Sequence, residues 1–265
     1  MTWAFEEGKE IVIFVGECLI HKYALIMRLL LISNSASPGE QYLEKPAQDI
    51  ATFLGNQKTN VVFIPFAGVT FSFDAYVDKV NKALSGVGVE VKGVHTFDDP
   101  IKAVEEAGAI MVGGGNTFQL AKMMQEQGLI EAIRKRVIDG GAPYVGWSAG
   151  SNVACPTICT TNDMPIVEPL SFNVLNLVPF QINPHYLDTH PSDHGGETRE
   201  VRILEYIEAN PTMYVAGLRE GCRFLVENGK INCIPLSFPR LRVWLPGIEK
   251  RRYNIITANQ KVKAN

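Results

Sequence analysis

The chain has 265 residues and a formal net charge of −3, with 46% hydrophobic and 20% charged residues. This is ordinary globular usage, which argues against disorder and against collagen-like or coiled-coil architecture. The near balance of charge gives no general attraction to phosphate backbones or anionic membranes, so neither nucleic acid nor a membrane is an expected partner.

Residues 11–31 are strongly apolar but are interrupted by Glu17, His21, Lys22 and Arg28. A membrane span wants about 20 residues nearly free of charge. The start carries Glu6, Glu7 and Glu10, where a secretory signal would be basic. Residues 1–26 therefore read as an appended segment, helical or loosely ordered, and the first buried strand follows Met27. From there, short apolar runs at 29–33, 61–66, 89–95, 109–113 and 144–148 alternate with amphipathic stretches at 40–54, 73–84, 101–107 and 118–138. Gly128 breaks the last of these in two. Continuous apolar strands separated by helices predict an α/β fold, a mostly parallel sheet sandwiched by helices with right-handed crossovers.

After Gly150 the alternation weakens. Residues 155–193 read as loop-rich, 197–209 as a helix that Thr198 could cap, and 213–218 and 222–227 as strands. Asn228-Gly229 is a hairpin turn signal. There is no internal repeat and no linker. The cysteines are Cys18, Cys155, Cys159, Cys222 and Cys233. An odd number with no C-x-x-C predicts free thiols and a reducing, cytoplasmic setting.

The most informative stretch is Gly146-Trp147-Ser148-Ala149-Gly150, which closes a predicted strand and opens a predicted helix. G-x-S-x-G in that context is a nucleophile elbow. The chain turns sharply and holds Ser148 in a strained conformation, so its flanking glycines must lack bulk. The following helix would point its positive end at a developing anion. Trp147 is expected to pack beside the site rather than to react.

A serine hydroxyl needs a base. His185 follows Asn183-Pro184 at the end of the apolar run 178–182, a rigid place from which to present an imidazole. His95 ends a predicted strand and reads as structural. A carboxylate should orient the imidazole, and both Asp163 and Glu220 qualify. His185, His190, His194 and Glu197, or Cys155 with Cys159, could be read as metal ligands. Neither spacing matches a compact ligand set, so no metal and no cofactor is expected. Val112-Gly113-Gly114-Gly115-Asn116-Thr117 is a glycine-rich turn without the lysine of a P-loop, better suited to an oxyanion hole.

Taken together, these segments resemble peptidase E, the aspartyl dipeptidase family of serine peptidases. The matching stretches are L-L-L-I-S-N-S from Leu29, V-F-I-P-F-A-G-V from Val62, V-G-G-G-N-T-F-Q-L from Val112, G-W-S-A-G from Gly146, T-T-N-D-M-P-I-V from Thr160, Q-I-N-P-H from Gln181 and G-E-T-R from Gly196. They occur in the family's order between residues 28 and 229. The resemblance implies a flavodoxin-like fold similar to class I glutamine amidotransferases. It implies Ser148 as nucleophile, His185 as base, and Asp163 or Glu220 as third member. Gly115 and Ala149 become oxyanion donors, and the substrates are small peptides, dipeptides with a free N-terminal Asp. Arg199 is the expected grip on the aspartate carboxylate, because a guanidinium can hold it in bidentate fashion. Asn162 is the second substrate-binding candidate.

Two stretches depart from the family pattern. Residues 1–26 have no counterpart, and 234–265 form a divergent, basic segment expected to be a loose tail around the catalytic region 27–233. An impaired binding protein of the same fold, or a serine hydrolase of related aspartyl peptides or esters, are the alternative functions. The oligomeric expectation is a monomer or a weak dimer.

Overall fold

The computed structural model describes residues 2–5, 11–14, 27–56, 60–188, 195–235, 240–244 and 254–257. Five parallel strands form its centre: β3 (Leu29–Ile32), β4 (Val61–Ile64), β5 (Val91–Gly93), β6 (Ala109–Val112) and β7 (Tyr144–Trp147). They pair in the order β3-β7-β6-β4-β5. Successive side chains of a strand point to opposite faces. Leu29 and Leu31 accordingly enter one core with Val62, Ile64, Ile110 and Val112. Leu30 and Ile32 enter the other with Val61, Phe63, Met111 and Trp147.

Helices cover both faces. Pro100–Glu105, Thr117–Glu126 and Leu129–Ile138 supply Val104, Leu120, Met124 and Ile133 to the first core. Pro46–Leu54 and Phe73–Leu84 supply Ile50, Leu54, Tyr76, Val80 and Leu84 to the second. The helix starts follow capping chemistry. Ser72, Asn116 and Thr198 each accept a hydrogen bond from a backbone N–H three residues on, satisfying an orphan donor. Gly128, at φ +68°, divides the predicted 118–138 helix. The helix predicted from residue 40 starts only at Pro46, which suits a first helical turn. The strand predicted at 89–95 shortens to Val91–Gly93 and gives way to a 3-10 turn at Val94–Thr96.

The sheet continues on the other side of β3 in antiparallel fashion. β10 (Cys222–Glu227) pairs with β3, and β11 (Lys230–Pro235) pairs with β10. Asn228 and Gly229 join them with φ of 52° and 72°, the left-handed pair that a tight hairpin demands. A second sheet places β8 (Gln181–Tyr186) parallel to β9 (Val215–Arg219), with a register irregularity between Asn183 and Tyr186. The expected loop-rich region thus ends in a strand, and that strand carries His185.

The two terminal expectations change. The N-terminal stretch contributes β1 (Thr2–Phe5) and β2 (Ile11–Phe14), an antiparallel pair whose second strand lies against β11. Ile-Val-Ile-Phe favours a strand over a helix, and the edge of β11 supplies its backbone partners. In the C-terminal segment, β12 (Arg240–Trp244) pairs with β9, and β13 (Asn254–Thr257) pairs with β12. These residues extend the second sheet where a loose tail was expected. Among the described residues, no helix is long and apolar enough to cross a membrane.

Candidate active site

The C-terminal ends of β3, β6 and β7 converge at the seam between the two sheets. There β7 ends and Ser148 takes φ 53° and ψ −114°. Two glycines allow the turn. A Cβ at Gly146 would run into Gly150 O, and one at Gly150 would run into Val112 O. The turn is pinned by Ser148 N donating to Ile32 O at 3.0 Å and by Tyr144 Oη donating to Gly150 O at 2.6 Å. The helix that follows is a single turn, Ala149–Asn152. Its macrodipole is therefore small, and any anion at this point depends on individual N–H groups instead.

His185 reaches the serine from the other sheet. Its Nε2 lies 3.0 Å from Ser148 Oγ, and its Nδ1 lies 2.7 Å from Glu220 Oε1. His185 itself has φ 54°, within the irregular stretch of β8 that turns the ring toward β7. Glu220 sits in the turn between β9 and β10, where the chain passes from the second sheet to the first. Gly221, at φ +78°, completes that turn. Asp163 makes its bonds elsewhere. Its Oδ2 accepts from Thr117 N at 2.7 Å, Thr117 Oγ1 at 2.6 Å and Thr161 Oγ1 at 3.1 Å. Of the two carboxylates left open by the sequence, Glu220 is the one hydrogen-bonded to the imidazole.

The glycine-rich turn lies against the serine. A Cβ at Gly114 would stand 2.9 Å from Ser148 Cβ, and Gly115, at φ +138°, has Ala67 O where its side chain would be. Gly115 and Ala149 thus belong to two backbone segments that meet at Ser148.

On the other side of β8 is a pocket of about 370 Å³ whose lining includes Thr161, Asn162, Asn183, Arg199 and Cys159. The half-buried Arg199 guanidinium is pushed down by burial, against the pull of the negative Glu220 and Asp163. Arg202 is engaged instead with Glu197 at 2.7 Å and Glu205 at 2.9 Å, and its side chain is 60% exposed. Of these two guanidiniums, Arg199 is the one that feels the negative charge of Glu220 and Asp163. Asn162 lines the pocket, but its amide is already in use: Nδ2 donates to Pro184 O at 2.7 Å, and Oδ1 accepts from Asn183 Nδ2 at 2.7 Å.

Comparison with known proteins gives the family. The model of peptidase family S51 matches residues 29–234. The chain belongs to peptidase family S51. It is 49% identical over 207 residues to a peptidase E of Nostoc, an alignment covering 78% of this chain and 85% of the relative. It is 52% identical over 204 residues to the peptidase E of Salmonella typhimurium, covering 77% and 88%. The crystal structure of a peptidase from an acI-B1 Actinobacterium shares the fold at TM-score 0.61 and 16% identity, covering 91% of this chain and 98% of that one.

Several residues of this S51 site carry no signal in the sequence read by motif. Ser33, fully buried, accepts from His185 N at 2.9 Å and donates to Leu218 O at 2.8 Å, joining the end of β3 to β8 and β9. Asn34 accepts from Gly221 N at 2.7 Å and so holds the turn that bears Glu220. Both lie in the L-L-L-I-S-N-S stretch, yet a polar pair after a buried strand looks like any strand end. Trp147 is fully buried and stacks on Phe63 at 5.7 Å. His95 bonds Asp74 at 2.9 Å, away from the serine's partners. His190 and His194 lie outside the described residues. Among the described residues, no group of three His, Cys, Asp or Glu side chains is placed to hold a metal ion.

Proposed function

We propose that this S51 peptidase is a serine-type dipeptidase that releases N-terminal aspartate from Asp-X dipeptides. The observation that carries this reading is the line Ser148 Oγ, His185 Nε2, His185 Nδ1, Glu220 Oε1, with contacts of 3.0 and 2.7 Å. Ser148 Oγ attacks the scissile carbonyl while His185 Nε2 takes its proton. Glu220 keeps the imidazole in the tautomer that accepts at Nε2, and it stabilises the imidazolium that forms. The tetrahedral oxygen is held by the N–H groups of Gly115 and Ala149. The amine leaves with the proton from His185, and water then attacks the acyl-enzyme by the same route.

Arg199 supports the choice of substrate. A cation beside two carboxylates, in a pocket adjoining the histidine strand, suits the side-chain carboxylate of an N-terminal aspartate. Asn162 acts on the histidine side of this pocket by holding Pro184 O. The free cysteines fit a reducing, cytoplasmic setting.

The test is hydrolysis of Asp-Leu by wild type and Ser148→Ala, beside Glu-Leu, N-blocked Asp-Leu and short acyl esters. Turnover confined to free Asp-X, and lost on the order of a million-fold in Ser148→Ala, is the expected result. Preference for esters or blocked peptides would overturn the substrate assignment, and activity retained without Ser148 would overturn the mechanism.

A further inference from the structure

We propose that Trp147, Tyr42 and Tyr76 form a hydrogen-bonded relay that orients the Gly114–Gly115 peptide toward the tetrahedral oxygen, making Tyr76 a positioning residue for catalysis. The proposal rests on the reading of Ser148 as nucleophile and Gly115 N–H as oxyanion donor.

The relay is continuous. Trp147 Nε1 donates to Tyr42 Oη at 3.1 Å, Tyr42 Oη donates to Tyr76 Oη at 3.2 Å, and Tyr76 Oη donates to Gly114 O at 2.8 Å. Its two ends fix the direction of every proton. An indole N–H can only donate and a carbonyl oxygen can only accept, so each phenol must receive from one neighbour and give to the next. Burial pushes both tyrosine hydroxyls up from their ordinary range. They remain donors wherever a histidine base works.

The consequence lies in peptide geometry. In a planar trans peptide, the C=O of one residue and the N–H of the next point in opposite directions. Fixing Gly114 O on Tyr76 therefore fixes the direction of Gly115 N–H on the opposite side. The same stretch is squeezed between two groups. A Cβ at Gly113 would stand 2.5 Å from Tyr76 Oη, and one at Gly114 would stand 2.9 Å from Ser148 Cβ. Phenol and serine thus flank one strip of backbone that has no side chains of its own.

The phenol is held in place. Phe63 and Phe71 meet the Tyr76 ring edge to face, at 5.0 Å and 5.2 Å between centroids. The relay also starts next door to where it acts, because Trp147 precedes Ser148 in the chain. It forms a ring of contacts from the nucleophile's neighbour, through two phenols, to the peptide facing the nucleophile. Such a ring sets the spacing between Ser148 and the oxyanion donor without touching the substrate.

The experiment is steady-state hydrolysis of Asp-Leu by wild type, Tyr76→Phe and Tyr42→Phe, with binding of an aspartate-derived peptide aldehyde. That aldehyde forms a tetrahedral adduct with a serine nucleophile. Losing an oxyanion donor outright costs about 100- to 1,000-fold in kcat. Loosening one should cost less, so Tyr76→Phe is expected to lower kcat about 10- to 100-fold with KM within about twofold. Aldehyde affinity should fall in step with kcat/KM, and the pH–rate profile should keep its shape. Tyr42→Phe leaves the Tyr76–Gly114 bond and should lose about three- to tenfold in kcat, which keeps the test open if Tyr76→Phe does not fold. Wild-type kcat in either folded variant overturns the relay, as does a change confined to KM. Failure of the wild type itself to turn over Asp-Leu would instead overturn the proposed function.

Discussion

His185 Nδ1 lies 2.7 Å from Glu220 Oε1, while the opposite ring nitrogen faces Ser148. This contact spans the seam between the sheets, since His185 rides on β8 and Glu220 on the turn that leads into β10. The carboxylate decides which nitrogen carries the proton. Glu220→Gln keeps the shape but stabilises the imidazolium poorly and permits the wrong tautomer. Its kcat should fall on the order of 1,000- to 10,000-fold with little change in KM, as read in steady-state assays.

Asp163 should behave differently, because its oxygen collects donors from Thr117 and Thr161. Asp163→Ala leaves the Thr117 N–H and hydroxyl without that acceptor and should cost about 1–3 kcal/mol of stability. Asp163→Asn can place a carbonyl oxygen where Oδ2 stands and should recover most of it. Urea denaturation of both variants measures this. Their kcat loss should be smaller than that of Glu220→Gln.

Ser148, at φ 53° and ψ −114°, occupies a conformation that an L side chain resists. Such residues store about 1–3 kcal/mol of strain. Glycine removes the strain but loses about 0.5–1 kcal/mol through its freer unfolded chain. Ser148→Gly should therefore be the more stable of two inactive variants, exceeding Ser148→Ala by about 1 kcal/mol in thermal or urea unfolding.

Arg199 and Arg202 are three residues apart on one helix, yet Arg199 feels the charge of Glu220 and Asp163 while Arg202 is paired with Glu197 and Glu205. Hydrogen bonds to charged groups are worth about 1.5–3 kcal/mol. Arg199→Ala should accordingly raise KM for Asp-Leu about 10- to 100-fold and change Ala-Leu turnover little. The exposed Arg202, salt-bridged to Glu197 and Glu205, should tolerate alanine with little change in stability or kinetics. Parallel kinetics on the two substrates separate these roles.

Burial pushes the Cys155, Cys222 and Cys233 thiols up, so they stay protonated near neutral pH. Free thiols of an unfolded chain ionise at about pH 8.5. Above that range the unfolded state sheds protons that the folded state keeps, so these thiols contribute stability that declines as pH rises. The urea midpoint should fall between pH 8 and pH 10. Cys159, exposed on the rim of the pocket, should react with iodoacetate in the native protein. The carboxylate it gains in the pocket that Arg199 also lines should raise KM for Asp-Leu.

Much of the parallel core was legible because each strand is a local apolar run whose flanks announce turns. The elbow at Gly146–Gly150 was legible for the same kind of reason, since sharp turns exclude side chains and leave glycine behind. The N-terminal and C-terminal strands were not, because an edge strand is made by the partner it finds. Ile11–Phe14 needs the edge of β11, and Arg240–Trp244 needs that of β9. Tyr42 and Tyr76 were also invisible, because aromatic residues on amphipathic stretches read first as core.

By itself the sequence determined the layered α/β plan, the serine turn, the histidine behind a rigid Asn-Pro step, and the family likeness. The first three depend on residues a few positions apart, where steric and periodic rules apply directly, and the likeness on the order of such stretches along the chain. Which carboxylate meets the imidazole was decided only by tertiary structure. Asp163 and Glu220 lie 22 and 35 residues from His185, and at such ranges reach depends on how the two sheets dock. Ser33 is one link in that docking, because its hydroxyl accepts from His185 N on β8 and donates to Leu218 O on β9.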